Sequence, residues 1–99
     1  MNIKINSVHF DADVKLENFI ENKIKKLTQV YEKIIGAEVF LRLENSQDLE
    51  NKITEIRLDI PGNDVFAKKQ TKSFEESTDA AVQALRRQLR KHKDKQRGL

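Results

Sequence analysis

Basic side chains crowd one stretch near the end of the sequence, and their type and spacing suggest binding to a polyanion. Lysine and arginine donate charge-assisted hydrogen bonds to phosphate oxygens. At about 100° per helical residue, these cations fall into two stripes, one of Arg86, Arg90, Lys93 and Arg97 and the other of Arg87, Lys91 and Lys95. Like charges at these spacings repel one another, so a partner with many negative charges would relieve the repulsion.

Lys23 is a further cation in an unexpected position. On a helical wheel it falls inside an apolar stripe, between Phe19 and Leu27. Its alkyl chain could pack against the core while the amine reaches water. Alternatively, Lys23 lies between two helices and reaches an anion docked over both. The predicted anion-binding residues are therefore Lys23, Lys26, Arg86, Arg87, Arg90, Lys91 and Lys93.

The other polar residues give little support to catalysis. The sequence has no cysteine, three glycines and two isolated histidines, and His92 lies at the end of an apolar stripe, where packing is the simpler role. It shows no glycine-rich phosphate loop, zinc-ligand spacing or nucleophile motif. Glu75, Glu76 and Asp79 begin a predicted helix, where the dipole favours acids. We therefore expect a protein that is not an enzyme and uses no metal, cofactor or small-molecule substrate.

Nucleic acid is the polyanion that fits this pattern best. Aromatic residues make up 6% of the sequence, too few to form a stacking platform for single strands. Recognition of the phosphates and shape of folded RNA is therefore favoured over base reading. A membrane surface is a possible partner for the last helix, but its apolar face is better used by a sheet and it has no tryptophan.

The bulk composition favours one small domain that spans residues 1–99. The chain is 37% hydrophobic and 35% charged with a net charge of +3, and its acids gather in the middle third, at Glu44, Asp48, Glu50, Glu55, Asp59 and Asp64. A domain polarised in this way usually meets a polyanion with one face. The sequence contains no signal peptide or membrane-spanning stretch, so we expect a soluble, cytoplasmic protein.

Apolar periodicity places six elements that must position these charges. Residues 2–8 alternate as a strand, and Asp13 caps a helix of roughly 20 residues that ends near Gly36. Alternation predicts strands over 37–45, 56–60 and 64–70, with Val39, Leu41 and Leu43 facing inward. Residues 45–51 form a polar connection, and 60–63 a type II turn. The last helix spans 73–97 and begins with a capping box of Ser73 and Glu76.

This order predicts an α+β fold, a two-layer sandwich with the order β-α-β-β-β-α. Short links between the last three strands imply an antiparallel meander, whereas the first helix must cross over between two parallel strands. The economical packing lays both helices on one face of a four-stranded sheet. Lys23 and Lys26 would then approach Arg86, Arg90 and Lys93 on the helical side.

Two stretches of the sequence resemble a known family. Residues 74–95, FEESTDAAVQALRRQLRKHKDK, resemble the last helix of the ribosome hibernation promoting factors, also called the ribosome-associated inhibitor or sigma-54 modulation family. The basic ending of that helix is matched at Gln88, Leu89, Lys91 and Lys93. Residues 16–27, LENFIENKIKKL, resemble the first helix, with Lys23 at the family's lysine. Ser7 departs from the pattern, because members often carry glycine there.

The resemblance implies a ribosome-binding domain that acts on the small ribosomal subunit, in the channel for messenger RNA and tRNA. It implies contacts to ribosomal RNA backbone and inhibition of translation by steric occlusion during starvation or stationary phase. The sequence ends at Leu99 and resembles the family's short form, for which we expect a monomer off the ribosome. Promotion of ribosome dimers and silencing of single ribosomes both stay open. A general double-stranded RNA-binding module is the alternative function.

Overall fold

The residues with alternating and helical patterns form four strands and two α-helices, as the sequence predicts. The computed structural model of the chain describes residues 1–44 and 49–96. Its elements are β1 (Asn2–Ser7), α1 (Val14–Lys25), a short 3-10 helix (Lys26–Gln29), β2 (Gly36–Leu43), β3 (Lys52–Ile60), β4 (Asn63–Thr71) and α2 (Phe74–Gln96). Among the described residues, no helix is long and apolar enough to cross a membrane.

The sheet has the strand order β1-β2-β3-β4, as the short connections predict. β1 runs parallel to β2, with Ile5 opposite Val39. β2, β3 and β4 form an antiparallel meander. Gly62 has a φ of 79°, which is the value that the third position of a type II turn requires and that glycine adopts without strain. The mixed α+β topology predicted from the sequence is therefore confirmed.

One apolar core joins both helices to the same face of the sheet. α1 contributes Ile20 and Ile24, and the following 3-10 helix contributes Leu27. α2 contributes Ala81, Val82, Leu85 and Leu89, and the strands contribute Val39, Leu41, Ile56, Leu58, Ile60, Val65 and Ala67. The predicted two-layer sandwich is confirmed, and the opposite face of the sheet carries mostly polar and charged side chains together with Phe40 and Phe66.

The two helices lie side by side and point in the same direction. Near their starts, the ring of Phe10 stacks on that of Phe74 with centroids 5.1 Å apart. Further along, Lys23 of α1 contacts Asp79 of α2. Beyond the end of α1, Tyr31 meets His92 edge to face at 5.4 Å. The basic end of α2 therefore lies beside the residues that follow α1, and His92 has the packing contact expected of it.

The predicted length of α1 is wrong, although its start is confirmed. Asp13 is the N-cap, and its carboxylate accepts a hydrogen bond from the backbone N–H of Leu16 at 2.8 Å. The α-helix ends at Lys25, where the hydroxyl of Thr28 donates to the Lys25 carbonyl at 2.7 Å. Gly36 does not end a helix but begins β2. A side chain there would come within 3.0 Å of the Asn2 carbonyl oxygen, so glycine permits close approach of β1.

One further detail of the sequence prediction is wrong, and part of it falls on residues that the structure does not describe. Leu43 was expected to face inward, but 51% of its surface is exposed because β2 extends beyond the buried part of the sheet. Asp48, Arg97 and residues 45–48 of the polar connection lie outside the described residues.

A cluster of buried hydroxyl groups fixes α2 on the sheet. The hydroxyl of Thr54 on β3 lies 2.6 Å from that of Ser77 and 3.4 Å from that of Thr78, and all three residues are fully buried. Ser73 accepts a hydrogen bond from the Glu76 N–H at 3.1 Å, which confirms one half of the predicted capping box. The other half is wrong, because the Ser73 N–H donates to the Thr71 hydroxyl at 3.4 Å and the Glu76 carboxylate lies near Lys72. Buried hydroxyl groups that satisfy one another favour a single packing arrangement. The rotation of α2, and with it the direction of each cationic stripe, is thereby fixed.

Candidate nucleic-acid interface

The cations of α2 lie on the parts of the helix that do not touch the core. Leu85 and Leu89 are fully buried, whereas Arg87, Arg90 and Lys91 are exposed and Arg86 and Lys93 are half-buried. Within the part of the chain that the structure describes, none of the cations from Arg86 to Lys95 forms an ion pair. This half of the helix therefore carries a positive charge that no ion pair among the described residues neutralises.

One cationic stripe lies on the flank of α2 that faces α1. The direction of this flank is fixed by Asp79, which contacts Lys23 of α1. Arg86 follows Asp79 by about two helical turns, and Arg90 and Lys93 continue on the same side. The helical phase therefore places this stripe on the predicted flank, where the groove between α1 and α2 continues alongside the residues that follow α1.

The other stripe lies on the opposite flank of α2, towards β4. Gln88 marks that flank, because its side-chain amide donates to the Phe66 carbonyl oxygen on β4 at 2.7 Å. Lys91 and Lys95 line a cleft there together with Asp64. Arg87 precedes Lys91 by one turn and is exposed. The cations therefore surround the exposed side of α2, and the second stripe points away from α1.

Lys23 occupies the position between the helices that the wheel predicted. Its side chain is 33% exposed, and its Nζ lies 2.9 Å from an Asp79 carboxylate oxygen and 5.4 Å from the centre of the Phe19 ring. The stem packs as a snorkelling lysine does, and the amine sits in the inter-helix groove. Lys26 is exposed at the start of the 3-10 helix, one turn further towards the basic end.

Arg86 is held against the protein rather than extended into solvent. Its Nε is buried and has no hydrogen-bond partner among the described residues. A side chain whose base is packed loses less rotational freedom when its terminal amines bind an anion. The buried base of Arg86 therefore favours anion binding by its terminal amines.

Asp79 is the residue of the groove that sequence reasoning assigned to another role. Its position near the helix start predicts an acid favoured by the helix dipole, but its carboxylate is the partner of Lys23. The signal was present in the spacing, since Asp79 shares a side of α2 with Arg86 and Lys93. The Asp79 carboxylate places one negative charge in the groove beside Lys23. A bound phosphate would therefore compete with Asp79 for the Lys23 amine.

We predict that Asp79→Asn strengthens RNA binding. The substitution releases Lys23 and removes a repulsive charge, and we expect about a two- to fivefold gain in affinity at low salt. Because the pair is partly exposed to solvent, the folding free energy should change by about 1 kcal/mol or less. Asp59→Asn is the matched control, since it makes the same charge change at an exposed site on the far side of the sheet. Equal gains in both variants would show that Asp79 has no specific effect.

The outer face of the sheet has a different electrostatic character. Arg42 pairs with Glu55, Arg57 pairs with Glu38 at 2.6 Å, and Lys68 lies 3.9 Å from Glu55. Each of these three cations lies beside an acid on a neighbouring strand, which is the usual arrangement of a solvated sheet face. The second half of α2, by contrast, holds several cations without an ion pair among the described residues.

Comparison with known proteins identifies relatives with this fold. The profile of a family described as "Sigma 54 modulation protein / S30EA ribosomal protein" matches residues 3–97. A protein of Pseudomonas putida named ribosome hibernation promoting factor is 30% identical over 99 residues, which cover 100% of this chain and 93% of that relative.

Two solved structures superpose on nearly the whole chain. A ribosomal subunit interface protein from Coxiella burnetii gives a TM-score of 0.84 at 19% identity, covering 95% of this chain and 99% of the other. The N-terminal domain of Protein Y from Thermus thermophilus gives 0.81 at 24% identity, covering 93% and 99%. At these identities the superpositions show a shared fold.

Proposed function

Because the chain belongs to the sigma 54 modulation protein / S30EA ribosomal protein family, we propose that it is a cytoplasmic ribosome hibernation factor. In this proposal it binds the small ribosomal subunit in the channel for messenger RNA and tRNA, and it inhibits translation by steric occlusion during starvation or stationary phase. The observation that carries the proposal is the unneutralised cationic half of α2 beside Lys23 and Lys26. The protein acts as a monomer before it binds.

The proposed contacts are to the phosphates of ribosomal RNA. Arg86, Arg90 and Lys93 line the groove between the helices, where two RNA backbone segments or one folded segment can reach cations from both helices. Lys23 and Lys26 extend the same groove from the α1 side. Arg87 and Lys91, on the other flank, contact phosphates that pass over the β4 side of α2.

Occlusion requires a rigid occupant, and the packing supplies one. The described residues measure 47 × 24 × 19 Å, and both helices are anchored to the sheet by a continuous core. A body of this size that is held by phosphate contacts excludes messenger RNA and tRNA from the space it fills. Inhibition in this mechanism needs no chemical step, which agrees with the absence of a recognisable catalytic motif in the sequence.

The dependence of binding on salt tests the electrostatic part of the proposal. If roughly six phosphates are neutralised, the logarithm of the association constant should fall with the logarithm of salt concentration at a slope of about −4 to −5. Titration of labelled protein into purified small subunits between about 50 and 200 mM monovalent salt gives this slope. A binding constant that does not change with salt would rule out phosphate recognition.

Two competitors test the location and the specificity. Messenger RNA together with tRNA should displace the protein from small subunits if it occupies their channel, and undiminished binding would contradict that location. A plain RNA duplex at equal salt should bind more weakly than the subunit. A stronger affinity for the duplex would instead favour a general double-stranded RNA-binding module.

A further inference from the structure

A cleft lies at the end of the molecule where both helices begin. It has a volume of about 580 Å³, and its floor is formed by Phe10, Leu16 and Phe19, with Ala12 beside them. We call it the aromatic cleft. Phe74 begins α2 at this end, and Lys93 follows it by 19 residues, or about 28 Å along the helix axis. The aromatic cleft is therefore well separated from the basic half of α2.

The floor of the aromatic cleft is apolar and only partly covered. Phe10, Leu16 and Phe19 are each half-buried, although all three pack against the core. Phe10 is supported by its stack on Phe74, whose ring plane lies within 10° of its own. Phe19 is supported by Lys23, which lies over its ring. The walls are thus held in place without a ligand, which lowers the cost of binding.

Acidic side chains form most of the rim of the aromatic cleft. Asp11, Asp13 and Glu75 are exposed there, against a single cation, Lys15. One oxygen of Asp13 caps α1, which leaves its other oxygen free for a partner. This charge is opposite in sign to that of the α2 groove, so RNA phosphate is repelled here. A partner that complements the aromatic cleft must combine positive charge with an apolar group.

We propose that the aromatic cleft binds a basic polypeptide segment in which lysine or arginine flanks an aliphatic or aromatic anchor. The anchor rests on Phe10, Leu16 and Phe19, and the flanking cations meet Asp11 and Glu75. The acids are spread over the starts of both helices, so they can accept several cations that are spaced along a chain. A polypeptide therefore fits the cleft better than a small metabolite does. The cleft adjoins the proposed RNA interface at Lys23, which lies over the Phe19 ring, but it does not include the basic half of α2. Its existence does not depend on the proposed function.

Three labelled peptides of equal length test this chemistry on the whole protein. The first alternates lysine and leucine, the second lysine and serine, and the third glutamate and leucine. We expect the lysine–leucine peptide to bind at least about tenfold more tightly than either of the others, because only it offers both the charge and the anchor. Equal binding of the lysine–serine peptide would show attraction to acidic surface alone and would overturn the proposal, as would equal binding of the glutamate–leucine peptide.

Substitution of the rim locates the binding. Asp11→Asn with Glu75→Gln should weaken the lysine–leucine peptide about tenfold, whereas Glu32→Gln with Glu50→Gln, an equal charge change at exposed sites elsewhere, should change binding less than about twofold. NMR resonances of Phe10, Leu16 and Phe19 should shift on titration with this peptide. Shifts confined to other residues, or equal losses in both variants, would refute the site. Affinity for small subunits is measured in parallel, so failure of one proposal is distinguished from failure of the other.

Discussion

Replacing Arg86, Arg90 and Lys93 together by glutamine is expected to weaken binding to the small ribosomal subunit by about a hundredfold or more at physiological salt. The three cations share the flank of α2 that faces α1, and none of them has an ion-pair partner among the described residues. Their removal should also reduce the magnitude of the salt slope by about two to three, one phosphate contact for each residue. Co-sedimentation with purified subunits and a salt titration measure both effects.

The matched control removes the same amount of charge from the other layer. Lys4→Gln, Arg57→Gln and Lys68→Gln lie on the outer face of the sheet and lower the net charge equally. Their effect should be confined to general electrostatic attraction and should stay below about fivefold. Both triple variants change exposed or half-buried positions, so circular dichroism should show an unchanged fold. Equal losses of affinity in the two variants would mean that total charge, and not the inter-helix groove, determines binding.

Much of the fold follows from local rules that act within a few residues. Alternation found the strands of the meander, although β3 begins at Lys52 and not at Ile56. Pro61 and Gly62 marked the turn between β3 and β4, and Asp13 and Ser73 marked the helix starts. These signals succeed because each is physical and local: a side-chain period, a fixed backbone angle, or an oxygen that satisfies free N–H groups.

The errors in the sequence prediction arise where the same apolar pattern is compatible with two different structures. Leu27 and Tyr31 are buried, and their spacing of four is equally compatible with a continuing α-helix, yet the chain tightens into a 3-10 turn after Lys25. Leu43 has the correct parity for the inner face, but alternation does not say where the covering layer ends. Both outcomes depend on tertiary packing, which a local period does not contain.

The site shows the same division between local and tertiary information. The wheel found both cationic stripes and the unusual position of Lys23, because these depend only on spacing along one helix. The wheel alone does not say which stripe faces α1; that prediction also needed both helices to lie on one face of the sheet. In the structure the contacts of Asp79 with Lys23 and of Gln88 with β4 fix the direction of α2. The parallel direction of the helices then gathers acids at one end of the molecule and cations at the other.

Substitution of Leu89 by alanine should cause the largest loss of stability among these predictions and should spare the binding surface. Leu89 is fully buried between α2 and the sheet, one turn from Arg86 and Lys93. Removal of a buried leucine side chain costs about 2–5 kcal/mol, from lost apolar contact and from the cavity that remains. For a domain of this size the midpoint of thermal unfolding should fall by roughly 10–25 °C. Thermal melts followed by circular dichroism measure this change.

Leu49→Ala is the matched control, because the same side chain is 86% exposed there and its loss should change the stability by about 0.5 kcal/mol or less. Well below its melting temperature, Leu89→Ala should bind small subunits within about threefold of the unsubstituted protein, since all its cations remain. The two large effects are then distinct: removal of the three cations weakens binding without loss of stability, and truncation of Leu89 lowers the stability of a protein that still binds. A hundredfold loss of affinity in fully folded Leu89→Ala would show instead that exact seating of α2, more than its charge, determines recognition.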